Sequence, residues 1–506
     1  MTISPNTLTA LNRFGLGARF DLSEALRNAI ETDPRGYLKS QLMPESALLN
    51  TPDLDSSRIN LLINFAEQER KRMEREALAA ANKAAATLTT VSAMAPASAM
   101  SPVTKSPPAT AQTAMQGPAQ GLMGPPAPRL NNTPVQHEIM LAEASARWRK
   151  GFDDTTGIVE RLVWFWSNHF AVSVAKDQAV EATAGSYERE AIRPFVLGKF
   201  ADMLKAVEQH PVMLTFLDNR DSIGPDSRIG QRQKKGLNEN LAREILELHT
   251  LGVDGGYSQT DVTNFARVIT GWTWTNPNNP NFEPATFVFN PNSHEPGEPL
   301  VLGKTYGQQG IAQGEAVLND LAQHPSTAKH LATKFIRHFV ADDPPPTLVA
   351  KLTKVYLDSD GDLMAFTKAL IDDDAAWTTP ATKLRTPQEF VMAAARAINY
   401  ILPPDKPERI LLYVINDLGQ PLWRPSGPNG FGDRVQDWAS AEGMKMRFAW
   451  ASNLASQANV QGNPTDVANI VLADAASEET RQTIARAESR NQGFALLLMS
   501  PEFQRR

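Results

Sequence analysis

Apolar residues recur every three or four positions along most of the chain, the spacing that turns one face of a helix toward a core. The pattern is clearest between Asn238 and Thr273. There Leu241, Ala242, Ile245, Leu246 and Leu248 cover one arc of a helical wheel, with His249 among them, while Asn240, Arg243, Glu244 and Glu247 fall on the other. Asn238 can cap this helix, and Gly252 stands where a left-handed C-terminal residue is wanted. A second helix follows at once. Ser258 and Asp261 form a capping box, Tyr257 and Val262 a hydrophobic staple, and the apolar run Val262, Phe265, Ala266, Ile269 stops at Gly271.

The same spacing predicts helices over 6–19, 23–41, 58–81, 137–150, 157–170, 187–207 and 327–340, and over 387–400 behind a Thr386 and Glu389 capping box. Helix 157–170 is apolar nearly all round and is expected to be buried. Strand-like alternation occurs only at Thr286 to Phe289 and Leu300 to Leu302, which predicts one small hairpin presenting His294 and Glu295 on its loop. From Ala77 to Val135 there is neither an aromatic nor an acidic residue, so residues 84–133 cannot bury enough apolar surface to offset their ordering entropy. The expected architecture is mainly α: one large helical domain, contributed by residues 1–83 and 134–506, with a β-hairpin near 286–302 and a disordered Ala/Pro-rich insert at 84–133.

Composition narrows the chemistry. A chain of 506 residues, 42% hydrophobic, can build a large core. Its formal net charge of −6 argues against general nucleic-acid affinity, which needs a basic surface. Without cysteine there is no disulfide, no thiolate nucleophile and no cysteine-held metal. The first twenty residues lack the pattern of a secretory signal and no apolar run reaches membrane-span length, so a cytoplasmic location is the expectation. Nucleophile elbow, phosphate loop, dinucleotide fingerprint and HExxH motif are all missing, as are the Glu-x-x-His pairs of a di-iron bundle.

What remains is polar and dispersed: Asn168, His169, Asp218, Asn219, Asn238, Glu239, Asn240, Arg243, Glu244 and His294. Brought together, such carboxylates, amides and histidines would suit a divalent cation or general acid–base work on a polar substrate. His169, Glu239, Glu244 and His294 are the candidate catalytic groups and the others candidate binding groups. Each also has an ordinary role open to it: Arg243 can pair with Glu239 and Glu247 along an exposed helix, and a histidine can be a satisfied core residue or a solvated loop residue. The catalytic reading requires that His169, Glu239 or Glu244, and His294 share one pocket.

Several stretches resemble, in order, the bacterial domain-of-unknown-function 1800 family. They are LNRFGLGAR at Leu11, FWSNHFAVS at Phe165, LDNRDS at Leu217, the window from Asn238 to Thr273, FVFNPNSHEPG at Phe287, HPSTAKHLATKFIRHFVADDPP at His324, and SPEFQRR at the chain's end. The loop LGQPLWRPSGPNGFGD also matches, with Phe431 where the family pattern has tryptophan. The resemblance implies no established activity. Members of that family are often encoded beside proteins of the domain-of-unknown-function 1501 family, which implies a second reading, a non-catalytic assembly partner.

The composition of the insert makes a direct prediction. Deleting residues 84–133 is expected to change stability by about 1 kcal/mol or less, because loop-closure entropy varies only logarithmically with length. Trypsin is expected to cut first at Lys83, Lys105 and Arg129. Thermal melting of the deletion variant checks this; slow cleavage together with a loss of several kcal/mol would show a packed insert.

Overall fold

The computed structural model of the chain describes residues 3–92, 133–234, 236–275, 277, 283–400, 407–457 and 462–506, and divides it into a large unit, 1–64 with 136–506, and a small one, 65–135. Helices dominate both, as the periodicity predicts. Helix α1, Ser57–Ser92, extends beyond Ala84, where composition begins the insert; the expectation for the rest of that insert falls mostly on residues outside those described. In the small unit, Arg70 pairs with Glu67 and Glu74, and Arg72 with Glu69, the short-range pairs that support an exposed helix.

Apart from a small second cluster of Ile3, Leu8 and Ala473, the core of the large unit is one contiguous apolar cluster. Through it runs α3, Ile158–His169, preceded by α2, Val135–Asp153, and followed by α4, Gln178–Tyr187, and α5, Phe200–Glu208. Its all-round apolar surface is buried as expected, yet Glu160 and Arg161 in the same helix are also completely buried. Their charges are matched internally. Arg193 donates to Glu160 at 2.7 Å and to Glu188 at 3.1 Å, and Arg147 of α2 donates through Nε to both oxygens of Glu188 at 2.8 and 3.1 Å. Arg13, in the LNRFGLGAR stretch, is likewise buried and donates to the carbonyls of Ala376 and Thr379.

The Asn238 to Thr273 window folds as two helical segments. The first is α6, Asn240–Glu244, continued by a π-helical turn, Ile245–His249; the second is α7, Gln259–Val268, with the Ser258 and Asp261 capping box in place. Gly252 adopts φ +85°. Two strands lie where alternation placed them, and each pairs with a strand that alternation did not mark. Strand β2, Phe287–Phe289, is antiparallel to β1, Trp272–Trp274, with Thr273 opposite Val288. Strand β3, Leu300–Val301, pairs instead with β4, Lys304–Thr305. Two small strand pairs thus stand in place of one hairpin, because the aromatic face of β2 packs on Trp272, whose ring lies 5.8 Å from that of Phe287.

Two further helices complete the setting of the site: α8, Pro325–Phe339, and α9, Pro387–Ala397, which starts with the expected Thr386 and Glu389 capping box. Helix α8 buries Leu331, Ala332, Phe335, Ile336 and Phe339 and turns His330, Lys334, Arg337 and His338 the other way.

Truncating Arg193 to methionine is expected to destabilise the protein by about 3–5 kcal/mol, because Glu160 and half of Glu188 would be left buried without a counter-charge. Adding Glu160→Gln should recover part of that loss. Urea unfolding of the single and double variants decides; a loss below 1 kcal/mol in R193M would refute the arrangement.

Candidate functional site

At the C-terminal end of α3 the chain leaves a polar cavity of about 310 Å³, bounded by α2, α3, α8, the start of α9 and the loop that carries Trp423, Phe431 and Asp433. Three details of local structure fix its walls. Asn168 clasps the loop, donating through Nδ2 to the Phe431 carbonyl at 3.0 Å and accepting from the Phe431 amide at 2.8 Å. Gly430 lets the loop come this close: with φ +73° and a Cβ that would stand 2.4 Å from the Asn168 carbonyl oxygen, no larger residue fits. Trp423 holds a left-handed backbone, φ +49°, uncommon for a bulky residue and fixed by the Val174 amide donating to its carbonyl at 2.8 Å.

Titratable groups gather on one wall. Lys334 Nζ donates to His169 Nδ1 at 3.0 Å, and His169 Nε2–H donates to the His249 carbonyl, in the π-helical turn, at 3.1 Å. Both ring nitrogens of His169 are therefore engaged, in the neutral tautomer with the proton on Nε2. Burial, and next the Lys334 charge, hold its pKa well below the ordinary histidine value. Burial likewise pushes the Lys334 ammonium down to about 8; no carboxylate bonds to it directly, although Asp433 opposes the shift. One helical turn further, His338 Nδ1–H donates to Asp433 Oδ2 at 3.2 Å, which leaves the lone pair on Nε2, a shielded atom with no partner. Burial keeps His338 below its usual value. Burial alone would raise the Asp433 pKa, but His338 and Lys383 overcome it and hold it at about 2.

The carboxylates near the cavity are neutralised from behind. Glu389 accepts from Arg161 Nη2 at 2.6 Å and from Arg506 Nε at 3.0 Å, and Asp433 lies 3.6 Å from Lys383 Nζ. The cations that line the cavity, Arg147, Lys334, Arg337 and Arg434, are not the ones that hold these acids.

Of the residues named from the sequence, Asn168 and His169 line this cavity and the others do not. Glu239 accepts from Arg243 at 3.1 Å, Gln259 at 2.8 Å and Thr263 at 2.7 Å, binding α6 to α7. Asn238 caps locally, taking the Asn240 amide at 2.9 Å. Glu244 is half-buried, and desolvation raises its pKa. Asn219 is buried and donates to the carbonyls of Ile269 and Trp272, whereas Asp218 pairs with Lys176 at 2.7 Å. His294 Nδ1–H donates to the Thr270 carbonyl at 2.9 Å, on the segment after β2. The convergence of His169 with Glu239 or Glu244 and His294 in this cavity is thus not found, because the window's polar face is used to join α6 and α7. His249 meets a different partner, donating from Nδ1 to the fully buried Glu208 at 2.8 Å. Among the described residues no three His, Asp or Glu side chains are grouped to hold a metal ion, and no helix is long and apolar enough to cross a membrane.

Lys334, His338, Asp433, Arg147 and Gln388 escaped the sequence reading. The signal for the first two was present: His330, Lys334 and His338 recur every fourth residue with no acid between them, a stripe of groups that repel when charged and gain nothing as a solvated helix face.

The buried histidines make stability depend on pH. His169, His330 and His338 all have folded pKa values below the unfolded value of 6.5, that of His330 at about 4 through burial and the Lys334 charge. The unfolded chain then takes up protons first as pH falls, so stability is full above pH 6.5 and is lost toward pH 4, by of order 3 kcal/mol from His330 alone. Urea unfolding between pH 7 and 4.5 should show this slope, reduced in His330→Gln; equal slopes in the two proteins would contradict it.

Comparison with curated proteins finds no match, and comparison with solved structures finds none. The sequence profile of the family described as Protein of unknown function (DUF1800) does match, over residues 9–505, nearly the whole chain. On that match, and with the helical fold in view, this chain is a member of the DUF1800 family.

Proposed function

We propose that the protein is an enzyme that performs general acid–base chemistry on a small polar substrate held in the cavity between α3, α8 and the Phe431 loop. The observation that carries this reading is the pairing of Lys334 Nζ with His169 Nδ1 at 3.0 Å, one helical turn from a His338 braced by Asp433. Such an arrangement supplies two functions. His338, with its Nδ1 proton committed to Asp433, offers a lone pair at Nε2 as a base, oriented as an aspartate orients the histidine of a hydrolase. Lys334, with a pKa near 8, is a proton donor at neutral pH whose conjugate base is within easy reach. The cavity's volume, about 310 Å³, is at the small end for ligand pockets and suits a compact metabolite rather than a polymer.

The second reading, an assembly partner of a domain-of-unknown-function 1501 protein, draws on the family resemblance and on exposed aromatic side chains such as Tyr413 and Phe448. Recovery of the protein as a stable monomer without any companion would count against it.

The enzymatic reading is tested by incubating the purified protein with pools of polar metabolites and following depletion by mass spectrometry, beside Lys334→Met and His338→Gln. Wild-type protein is expected to consume at least one compound, and the His338 variant to do so about 10² to 10⁴ times more slowly while circular dichroism shows the fold intact. Consumption at equal rates in all three proteins, or none by the wild type, would overturn it.

A further inference from the structure

Three side chains lining the cavity carry donors that are shielded from solvent and have no acceptor: Arg147 Nη1, Trp164 Nε1 and Gln388 Nε2. Their residues are only 3%, 7% and 8% exposed. A buried donor left unmade costs about 1–3 kcal/mol, so three around one cavity amount to a standing demand for acceptor atoms. Three carboxylates around the cavity are already engaged by other donors. Glu188 is shared by Arg147 Nε and Arg193, Glu389 by Arg161 and Arg506, and Asp433 by His338 and Lys383. The Gln420 Oε1, which also faces this region, already takes the backbone N–H of Gln388 at 2.9 Å.

Charge points the same way. Lys334 spends one of its three protons on His169, and Arg337 Nε is directed to the Asp342 carbonyl at 3.2 Å. The Arg147 guanidinium lies 5.0 Å from the Trp164 ring centroid and 5.9 Å from that of Trp423, within cation–π range of both, while its Nε is fixed by Glu188. An arginine immobilised in this way, with one terminal nitrogen open, is preorganised for a planar or tetrahedral oxyanion. A cation is disfavoured there, since the unmet groups are donors.

We propose that the ligand of this cavity is a small organic anion, whose carboxylate or phosphate oxygens accept the open hydrogen bonds of Arg147, Trp164 and Gln388. This rests on the acid–base reading and deepens it: the acidic group anchors the substrate, and the remainder is presented to Lys334 and His338. Water filling the cavity is the competing account, because it would satisfy the same donors without preference for charge.

The experiment measures melting temperature of the full chain against sodium malonate and, separately, inorganic phosphate, with sodium chloride holding ionic strength constant. A saturable rise is expected in the wild type. Trp164→Phe keeps the ring over Arg147 and removes only the indole donor, while Gln388→Leu removes the amide at nearly constant volume. Each is expected to weaken the apparent affinity by about five- to tenfold. Response to malonate alone assigns a carboxylate, and response to phosphate alone a phosphate. No saturable rise with either anion, or an affinity unchanged in both variants, overturns the inference. Competitive acetylation of Lys334 as a function of pH, on the same samples, keeps the two readings apart. An onset near pH 8 without anion binding would leave the acid–base reading standing and remove this one.

Discussion

Glu389 is the point at which otherwise distant parts of the chain are tied together. Its Oε2 accepts the Thr386 amide, closing the capping box that starts α9, and its two oxygens also take Arg161 from α3 and Arg506 from the last stretch of chain. Arg161 reaches on to the Gly15 carbonyl at 2.7 Å, and Arg506 to the His338 carbonyl at 2.7 Å. One buried carboxylate thus joins the N-terminal segment, α3, α8, α9 and the end of the chain. Two guanidinium groups hold it far below the ordinary carboxylate range even though burial acts in the opposite direction. Replacing such a network with apolar residues need not cost stability, but removing one partner does, and this makes the arrangement specific to one packing of these helices.

The cavity depends on that anchoring. Because Arg161, Arg506 and Lys383 neutralise Glu389 and Asp433 from outside the cavity, its lining retains cations and open donors while the carboxylates stay ionised and fixed. The same removal from water lowers the pKa values of His169, His338 and Lys334, which keeps both histidines neutral and brings the Lys334 ammonium close to neutral pH. Backbone geometry contributes alongside charge. The π-helical turn Ile245–His249 offers the His249 carbonyl to His169, and the left-handed Trp423 closes the opposite side.

The elements of this fold were legible as periodicity. Helices α3, α7, α8 and α9, the capping boxes at Ser258 and Thr386, the burial of α3 and the sites of β2 and β3 all follow from side-chain spacing, because a helix cap or an amphipathic face is decided within a few residues. Asn168 and His169 were legible as polar residues at the end of an apolar helix. The strand partners were not, since pairing Phe287–Phe289 with Trp272–Trp274 or with Leu300–Val301 satisfies the same alternation, and only packing against Trp272 distinguishes them.

What the sequence alone determined, then, is the helical class, the order of the elements, the absence of thiol chemistry and membership signals spread along the chain. Tertiary structure alone decided which polar residues meet. Glu239 and Asn238 were named as site residues and are used to join or cap neighbouring helices, whereas Arg147, Lys334, Gln388 and Asp433 were not singled out and line one cavity. The reason is physical. Amphipathic spacing records whether a side chain faces inward from its own helix, but the hydrogen-bond partner of a buried polar group can lie more than a hundred residues away, as Glu389 does for Arg161 and Lys334 for His169.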